Sequence, residues 1–164
     1  MCGITGFILK NGEIADPQLS AAMANDMRRR GPDAQTSFTK ENFSFAHRRL
    51  KIIDVSDAAN QPIFNENRNV AVLFNGEIYN FQTLRNELSS LGHKFSTRSD
   101  TEVIVHAFEE WGTDSFAKLN GMFAFAIWDG RFGKNSFYFA RDRAGIKPFF
   151  YSYADQRFGF ASEL

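Results

Sequence analysis

Apolar and polar residues follow two different periods along the chain, and together these periods predict an α+β fold. Strand-like apolar or alternating runs cover residues 3–9, 43–50, 69–74, 122–128, 136–140, 147–153 and 157–161. Helical spacing of apolar residues occurs over residues 16–30, 81–91 and 99–111. Asp16 and Pro17 have the residue types preferred at the start of a helix, and Ser99 to Glu102 fits a capping box.

The segment Met122 to Trp128 is apolar at every position, which predicts a strand covered on both faces rather than on one. Two packed sheets with helices outside them would provide this cover. The last two runs, Lys147 to Tyr153 and Arg157 to Ala161, are expected to pair as a hairpin. The 164 residues contain no repeat or linker and suit one domain.

Composition narrows the classes of function. Nineteen Lys and Arg residues balance nineteen Asp and Glu residues, so no charge excess favours nucleic acid or an anionic membrane. The longest apolar run is far shorter than the roughly 20 residues of a membrane span, and the N-terminus lacks a signal segment, so a cytoplasmic location is expected. A single cysteine excludes an intrachain disulfide, and the three histidines are scattered in sequence, so no metal site is predicted.

Cys2 is the first candidate for chemistry, because it becomes the N-terminal residue once Met1 is removed. The α-amine of such a residue titrates at about 7.7 to 8.0, against about 8.5 for a thiol, so the amine can accept the thiol proton near neutrality. Cys2 would then be a nucleophile that carries its own base. Alternatively, it is a small, inert, buried hydrophobe, which is the usual state of a lone cysteine.

Asn75 and Gly76 follow an apolar run and allow two interpretations. Asn-Gly is the strongest short signal for a type I′ hairpin turn. The same pair could instead present the Asn75 amide and the Gly76 backbone N–H as two donors to an oxyanion. Glu77 would in that case follow them as a carboxylate aimed at an ammonium group, whereas an exposed glutamate is ordinarily a solvated charge.

Two further charged residues have both structural and functional interpretations. Strand alternation places Arg48 on the face opposite His47 and Arg49, so one of the two arginines should point inward, where a guanidinium can bind a carboxylate bidentately. The alternative is a charge on the strand surface. Asp100 could bind an ammonium group, or it could simply serve the start of the third helix.

Seven short motifs occur in order along the whole chain. They are Met1-Cys2-Gly3-Ile4, Arg30-Gly31-Pro32-Asp33, His47-Arg48-Arg49-Leu50, Asn75-Gly76-Glu77-Ile78-Tyr79-Asn80, Ser99-Asp100-Thr101-Glu102, Gly121-Met122-Phe123-Ala124-Phe125 and Arg141-Asp142-Arg143-Ala144-Gly145-Ile146-Lys147-Pro148. Together these motifs resemble the glutaminase domain of class II glutamine amidotransferases, and within that class they are most similar to the glutamine-dependent asparagine synthetases. Phosphoribosyl-amidotransferases and glucosamine-phosphate synthases fit the same segments less well.

The resemblance implies a four-layer αββα sandwich of two mainly antiparallel sheets, of the N-terminal-nucleophile hydrolase type, over residues 1–164. It also implies roles for individual residues in hydrolysing L-glutamine to L-glutamate and ammonia through a Cys2 thioester. Cys2 would attack the carboxamide and Asn75 and Gly76 would hold the oxyanion. The remaining residues would bind the substrate: Arg49 its α-carboxylate, Glu77 and Asp100 its α-ammonium, and Ile52 and Ile53 through their backbone groups.

The same family places a C-terminal ATP-dependent synthetase domain after the glutaminase domain, and these 164 residues do not include it. We therefore expect no cofactor in this domain, with ATP and magnesium used only by the synthetase domain, and either a piece of a longer protein or a separate subunit. The amide acceptor, aspartate or another carboxylate, stays open. Two rival hypotheses are a catalytically silent regulatory or interaction module and an N-terminal-nucleophile amidase that acts on another amide.

Overall fold

The computed structural model describes residues 1–164 and contains nine strands and four helices. In chain order they are β1 (Gly3–Ile8), α1 (Pro17–Asp26), β2 (Ala34–Lys40), β3 (Phe43–Arg49), β4 (Ile63–Phe64), β5 (Val70–Ile78), α2 (Phe81–Ser90), α3 (Thr101–Trp111), α4 (Ser115–Lys118), β6 (Gly121–Asp129), β7 (Ser136–Arg141), β8 (Phe150–Ala154) and β9 (Arg157–Ala161). None of the helices combines the length and the apolar character that crossing a membrane requires.

The strands form two sheets that lie face to face. The first has five strands in the order β2-β3-β1-β9-β8, and the second has four in the order β4-β5-β6-β7. All the strand pairs within both sheets are antiparallel. Helix α1 packs on the outer face of the first sheet, and α3 packs on the second. The predicted four-layer αββα sandwich is therefore confirmed.

Strand β6 contributes to two separate cores. Phe123, Phe125 and Ile127 belong to the core between the second sheet and its helices. Ala124 and Trp128, on the opposite face, belong to the core between the two sheets. Because successive side chains of a strand point to opposite faces, an entirely apolar strand must be covered on both. The prediction made from this segment is confirmed.

The predicted helices are present, but their ends differ in detail. Asp16 caps α1 as expected, with its carboxylate accepting a hydrogen bond from the Gln18 N–H at 2.8 Å. The capping box expected at α3 is wrong. The Glu102 carboxylate instead accepts from the backbone and hydroxyl groups of Ser96 and Thr97, at 2.6–2.8 Å, and so fixes the connection that precedes the helix.

The strand predictions have two omissions and one wrong alternative. Strand β2 was not predicted, because its sequence, AQTSFTK, is mostly polar and lies at a half-exposed sheet edge; β4 is only two residues long. The type I′ turn at Asn75 and Gly76 does not form. Both residues continue β5, opposite Ala124 and Phe123 of β6.

Candidate active site

The sequence-predicted site residues meet at one end of the sandwich, where β1 begins and β3 and β5 approach their ends. Ile4 and Phe45 point into the core between the sheets, so strand alternation directs Cys2, Arg49 and Asn75 toward the same layer. One pocket opens there. All the residues predicted from the sequence line it, namely Cys2, Arg49, Ile52, Ile53, Asn75, Gly76, Glu77 and Asp100.

The Cys2 sulfur is partly buried and lies against the backbone of Leu50. The Leu50 nitrogen donates to Sγ at 3.4 Å, and the Leu50 carbonyl oxygen lies 3.7 Å from it. Burial raises the pKa of the Cys2 thiol, against the opposing effects of the Leu50 N–H, the nearby N-terminal amine and Arg49. With Met1 present, burial outweighs these groups, and the pKa of the thiol stays above its usual value.

Asn75 lies beside the backbone of Cys2. In the orientation that satisfies both neighbours, its amide nitrogen donates to the Cys2 carbonyl oxygen at 3.0 Å and its oxygen accepts from Arg30 Nη2 at 3.3 Å. Arg30 Nε also donates to the Cys2 carbonyl oxygen, at 2.9 Å. A carboxamide has two N–H donors, so one remains for a ligand. The sequence had placed Arg30 in a family motif without assigning its side chain a role.

The Gly76 N–H points away from β6, and the ladder fixes this direction. In this part of β5 the backbone groups of odd-numbered residues bond to β6, and Tyr79, just after the strand, continues this pattern by donating its N–H to the Asn120 carbonyl. The backbone N–H groups of even-numbered residues therefore point away from β6. On that side the Phe74 N–H donates to Gln61 Oε1 at 2.6 Å and the Ile78 N–H to Asp100 Oδ2 at 2.9 Å. The Gly76 N–H between them has no such acceptor and faces the pocket.

Close packing also requires glycine at position 76. A Cβ atom there would lie 2.3 Å from the Met122 carbonyl oxygen and 2.7 Å from the Phe123 Cα. Both are backbone atoms of the neighbouring strand, which cannot rotate out of the way. The glycine thus keeps β5 and β6 close together at the point where the Gly76 N–H is exposed to the pocket.

Arg49 points inward, while Arg48 on the opposite face bonds to Gln35. The Arg49 guanidinium donates to the Ser56 carbonyl at 2.6 Å, to Asn60 Oδ1 at 2.7 Å and to the Asp54 carbonyl. These three bonds use three of its five N–H donors and tie the connection between β3 and β4 to the pocket. Two donors remain for a ligand.

Asp100 is the buried carboxylate of the pocket and Glu77 its more exposed neighbour. Burial raises the pKa of Asp100, and the charge of Glu77 raises it further, whereas the Ile78 N–H lowers it. A cation placed between the two carboxylates would offset both the cost of burying the Asp100 charge and its repulsion by Glu77. Ile52 and Ile53 lie at the mouth, where their side chains are 72% and 41% exposed.

Lys147 also lines the pocket, and its side chain was not assigned a role from the sequence. Its Nζ lies 3.2 Å from the Met1 sulfur, at 6% exposure of the residue. The Asp142 carboxylate holds this turn by accepting from the backbone N–H groups of Phe123, Ile146 and Lys147 at 2.8–3.1 Å. The Arg141 to Pro148 motif is thus a turn that brings a buried cation next to the N-terminus.

The αββα layers, with a cysteine at position 2 set in a pocket at the end of the two sheets, define an N-terminal-nucleophile hydrolase fold. A family model described as "Glutamine amidotransferase domain" matches residues 1–164. The chain therefore belongs to the glutamine amidotransferase domain family.

Curated relatives with similar sequences are glutamine-hydrolyzing asparagine synthetases. Asparagine synthetase [glutamine-hydrolyzing] 3 of Bacillus subtilis (strain 168) is 39% identical over 167 residues, covering 100% of this chain and 27% of that protein. Asparagine synthetase [glutamine-hydrolyzing] 2 of Arabidopsis thaliana is 41% identical over 167 residues, covering 100% and 28%. The chain thus spans about a quarter of the length of these curated relatives.

A solved structure confirms the fold. Glutamine phosphoribosylpyrophosphate amidotransferase from B. subtilis, complexed with ADP and GMP, aligns with a TM-score of 0.81. The alignment covers 98% of this chain and 42% of that chain, at 22% identity.

Proposed function

We propose that this chain is the glutaminase half of an asparagine-synthetase-like amidotransferase, and that it hydrolyses L-glutamine to L-glutamate and ammonia. The observation that carries the proposal is the uncommitted Gly76 N–H, which lies beside Asn75 at the pocket that holds Cys2. Two adjacent donors next to a cysteine suit an anionic tetrahedral intermediate of acyl transfer.

The reaction begins once Met1 has been removed, so that Cys2 carries a free α-amine. The amine takes the thiol proton, and the sulfur attacks the side-chain carboxamide carbon of glutamine. Asn75 and Gly76 stabilise the resulting oxyanion. The protonated amine then passes a proton to the leaving nitrogen, and ammonia departs to leave a γ-glutamyl thioester. Water, deprotonated by the same amine, hydrolyses the thioester to glutamate and restores the thiol.

The charges of the pocket support a free amino acid as the substrate. The two uncommitted donors of Arg49 are assigned to the α-carboxylate, which a guanidinium can bind bidentately. Asp100 and Glu77 are assigned to the α-ammonium, because a cation there favours the charged form of the buried Asp100 carboxylate. The backbone groups near Ile52 and Ile53 are assigned to the rim that closes on the substrate.

The ammonia would be used by an ATP-dependent synthetase domain, joined in the same chain or bound as a partner. The names of the full-length relatives and the quarter of their length that this chain covers support this partner. No residue of this chain is assigned to ATP or magnesium, which the proposal leaves to the synthetase domain. We place the protein in the cytoplasm, where a lone nucleophilic cysteine stays reduced.

The test is the mass of the intact chain before and after incubation with 6-diazo-5-oxo-L-norleucine, a glutamine analogue that alkylates such cysteines. We expect a mass without Met1 and a single adduct that maps to Cys2. Retention of Met1 with no adduct would mean that the chain lacks the α-amine base and is either an unprocessed enzyme or a catalytically silent module. Glutamate release from L-glutamine, but not from its N-blocked or decarboxylated analogues, separates the proposal from an amidase of other specificity.

A further inference from the structure

A second cluster of polar side chains lies far along the chain from Cys2, between the segment after α2 and the second half of α3. The connection after α2 carries His93, and α3 carries His106 and Glu109. The two Nδ1 atoms of His93 and His106 are 3.3 Å apart, and the His106 Nδ1 is also 3.3 Å from Glu109 Oε2. One donor atom from each of the three residues lies within 4.8 Å of the others. The two histidines are 13 residues apart in sequence, and the fold brings their rings together.

The opposite ring nitrogens of both histidines face carboxylates. His93 Nε2 lies 3.1 Å from Glu110 Oε2, and His106 Nε2 lies 3.7 Å from Glu102 Oε1, too far for a hydrogen bond. His106 is 2% exposed, and its Nε2 has no hydrogen-bond partner. The Glu110 carboxylate can hold a proton on His93 Nε2, which leaves the Nδ1 lone pair of His93 toward the cluster.

The two Nδ1 atoms and Glu109 Oε2 thus face one another around a common centre. These three atoms lie close enough together to share one cation. A single proton on His106 Nδ1 can bridge only part of the group. A divalent metal ion can accept all three electron pairs at once.

We propose that His93, His106 and Glu109 form a site for a zinc ion, with water as the fourth ligand. Tetrahedral ligands at the usual zinc distances of about 2.0 to 2.1 Å are roughly 3.3 Å apart, and two of the three separations already have this value. Two imidazoles and a carboxylate also suit zinc better than the oxygen-seeking calcium or magnesium.

The surroundings hold the ligands in place. Asn65 Nδ2 donates to Glu109 Oε1 at 2.7 Å, which leaves Oε2 toward the two rings. The ring of Phe95 packs edge-on against His106, with the ring centroids 4.6 Å apart. The side chains of His93 and Glu109 keep 15% and 17% exposure, so solvent and an incoming ion can reach the site.

The ion would connect the segment after α2 to the side of α3. That segment continues to Ser99 and Asp100, which line the Cys2 pocket. The site is structural, because its ligands lie outside that pocket and none of them touches the sulfur. Zinc should therefore stabilise the domain without taking part in the chemistry of Cys2.

The experiment is a titration of the metal-free 164-residue chain with Zn²⁺ in competition with a chromophoric chelator, repeated with Co²⁺ to read the ligands from the visible spectrum. The N-terminal cysteine can also bind metal, so the Cys2→Ala chain is titrated in parallel. We expect one ion per Cys2→Ala chain, a tetrahedral Co²⁺ spectrum without a sulfur charge-transfer band, and a higher midpoint of thermal unfolding.

Three variants in the Cys2→Ala chain decide the assignment. His93→Gln and Glu109→Gln should lose the stoichiometric ion, and Glu110→Gln should weaken binding about 10- to 100-fold. Glu87→Gln, at an exposed position on α2, is the matched control and should change nothing. Failure of the folded Cys2→Ala chain to bind one ion, or unchanged binding in His93→Gln and Glu109→Gln, would show that the cluster holds only a shared proton. Because Cys2→Ala cannot hydrolyse glutamine, this result is independent of the proposed function.

Discussion

The backbone N–H of Leu50 donates to the Cys2 sulfur at 3.4 Å, and the sulfur has no side-chain partner within hydrogen-bond reach. A backbone donor at this position favours the thiolate, because its N–H carries a partial positive charge. Leu50, the residue after Arg49, thus opposes the rise of the Cys2 pKa, while Arg49 itself lines the pocket. The end of β3 and the residue that follows it therefore reach both the sulfur and the pocket lining.

The first prediction concerns Cys2 itself. Cys2→Ala should abolish glutamate release, because the only thiol of the chain is removed. The fold should persist, since the side chain lies before β1 and is only partly buried. Glutaminase assays together with thermal unfolding check both statements. Substantial residual turnover in a folded Cys2→Ala chain would exclude Cys2 as the nucleophile.

The second prediction separates transition-state stabilisation from substrate binding. Asn75→Ala should lower kcat by about 100- to 1000-fold, as the loss of one oxyanion donor does elsewhere, with a smaller change in KM. Steady-state kinetics at saturating and limiting glutamine measure the two effects. A change in KM alone would mean that Asn75 binds the ground state instead.

The third prediction tests the close approach of β5 and β6. Gly76→Ala places a methyl group 2.3 Å from the Met122 carbonyl oxygen, so the ladder must shift and the free energy of unfolding should fall by about 2 kcal/mol or more. Gly159→Ala is the matched control, because its Cβ would lie 3.5 Å from Ser152 Oγ, at ordinary contact distance. Denaturant unfolding measures the free energy of unfolding of both variants. Equal free energies of unfolding for the two variants would show that β6 moves to accommodate the added methyl group at little cost.

Local sequence patterns predicted the fold well where the signal lies within the segment itself. The wholly apolar run of β6 implied cover on both faces, and alternation in β3 implied that one of Arg48 and Arg49 points inward, which is Arg49 in the structure. Both predictions depend on residues one or two positions apart. Strand β2 was missed because its edge position exposes polar residues, which removes the apolar pattern.

Other features depend on residues distant in sequence, and a local pattern cannot reveal them. Asn75 and Gly76 remain in a strand because β6 pairs with them, although the dipeptide alone favours a turn. Likewise, the partners of Glu102 and the approach of His93 to His106 depend on how the segment after α2 folds back along α3. The motif resemblance identified the members of the candidate site, whereas the unpaired Gly76 N–H required the register of the ladder.

The fourth prediction addresses Arg49. Arg49→Lys should raise the KM for glutamine about 10- to 100-fold, because an ammonium cannot both hold the β3–β4 connection and bind a carboxylate bidentately. Arg48→Lys is the control, since that side chain bonds to Gln35 on the opposite face. The ratio of the two KM values is the measurement. Similar KM values for both variants would remove Arg49 from the substrate site.

The last prediction follows from His47, a fully buried residue of β3 that is 1% exposed. Burial lowers the pKa of His47 to about 3, with Arg49 lowering it further against the opposing effect of the Phe74 carbonyl. The unfolded chain takes up a proton near pH 6.5, whereas the folded chain does not until about pH 3. Stability is therefore lost as the pH falls below 6.5.

Between pH 7.5 and 5 the parent chain should lose about 2 kcal/mol more stability than His47→Gln, which cannot take up this proton. The other histidines and the carboxylates are common to both chains, so their contributions cancel in the difference. Denaturant unfolding at several pH values, with the two chains in parallel, gives this difference directly. Stability curves that stay parallel down to pH 5 would mean that His47 accepts a proton inside the fold, and that water or a shifted Phe74 carbonyl then reaches its ring.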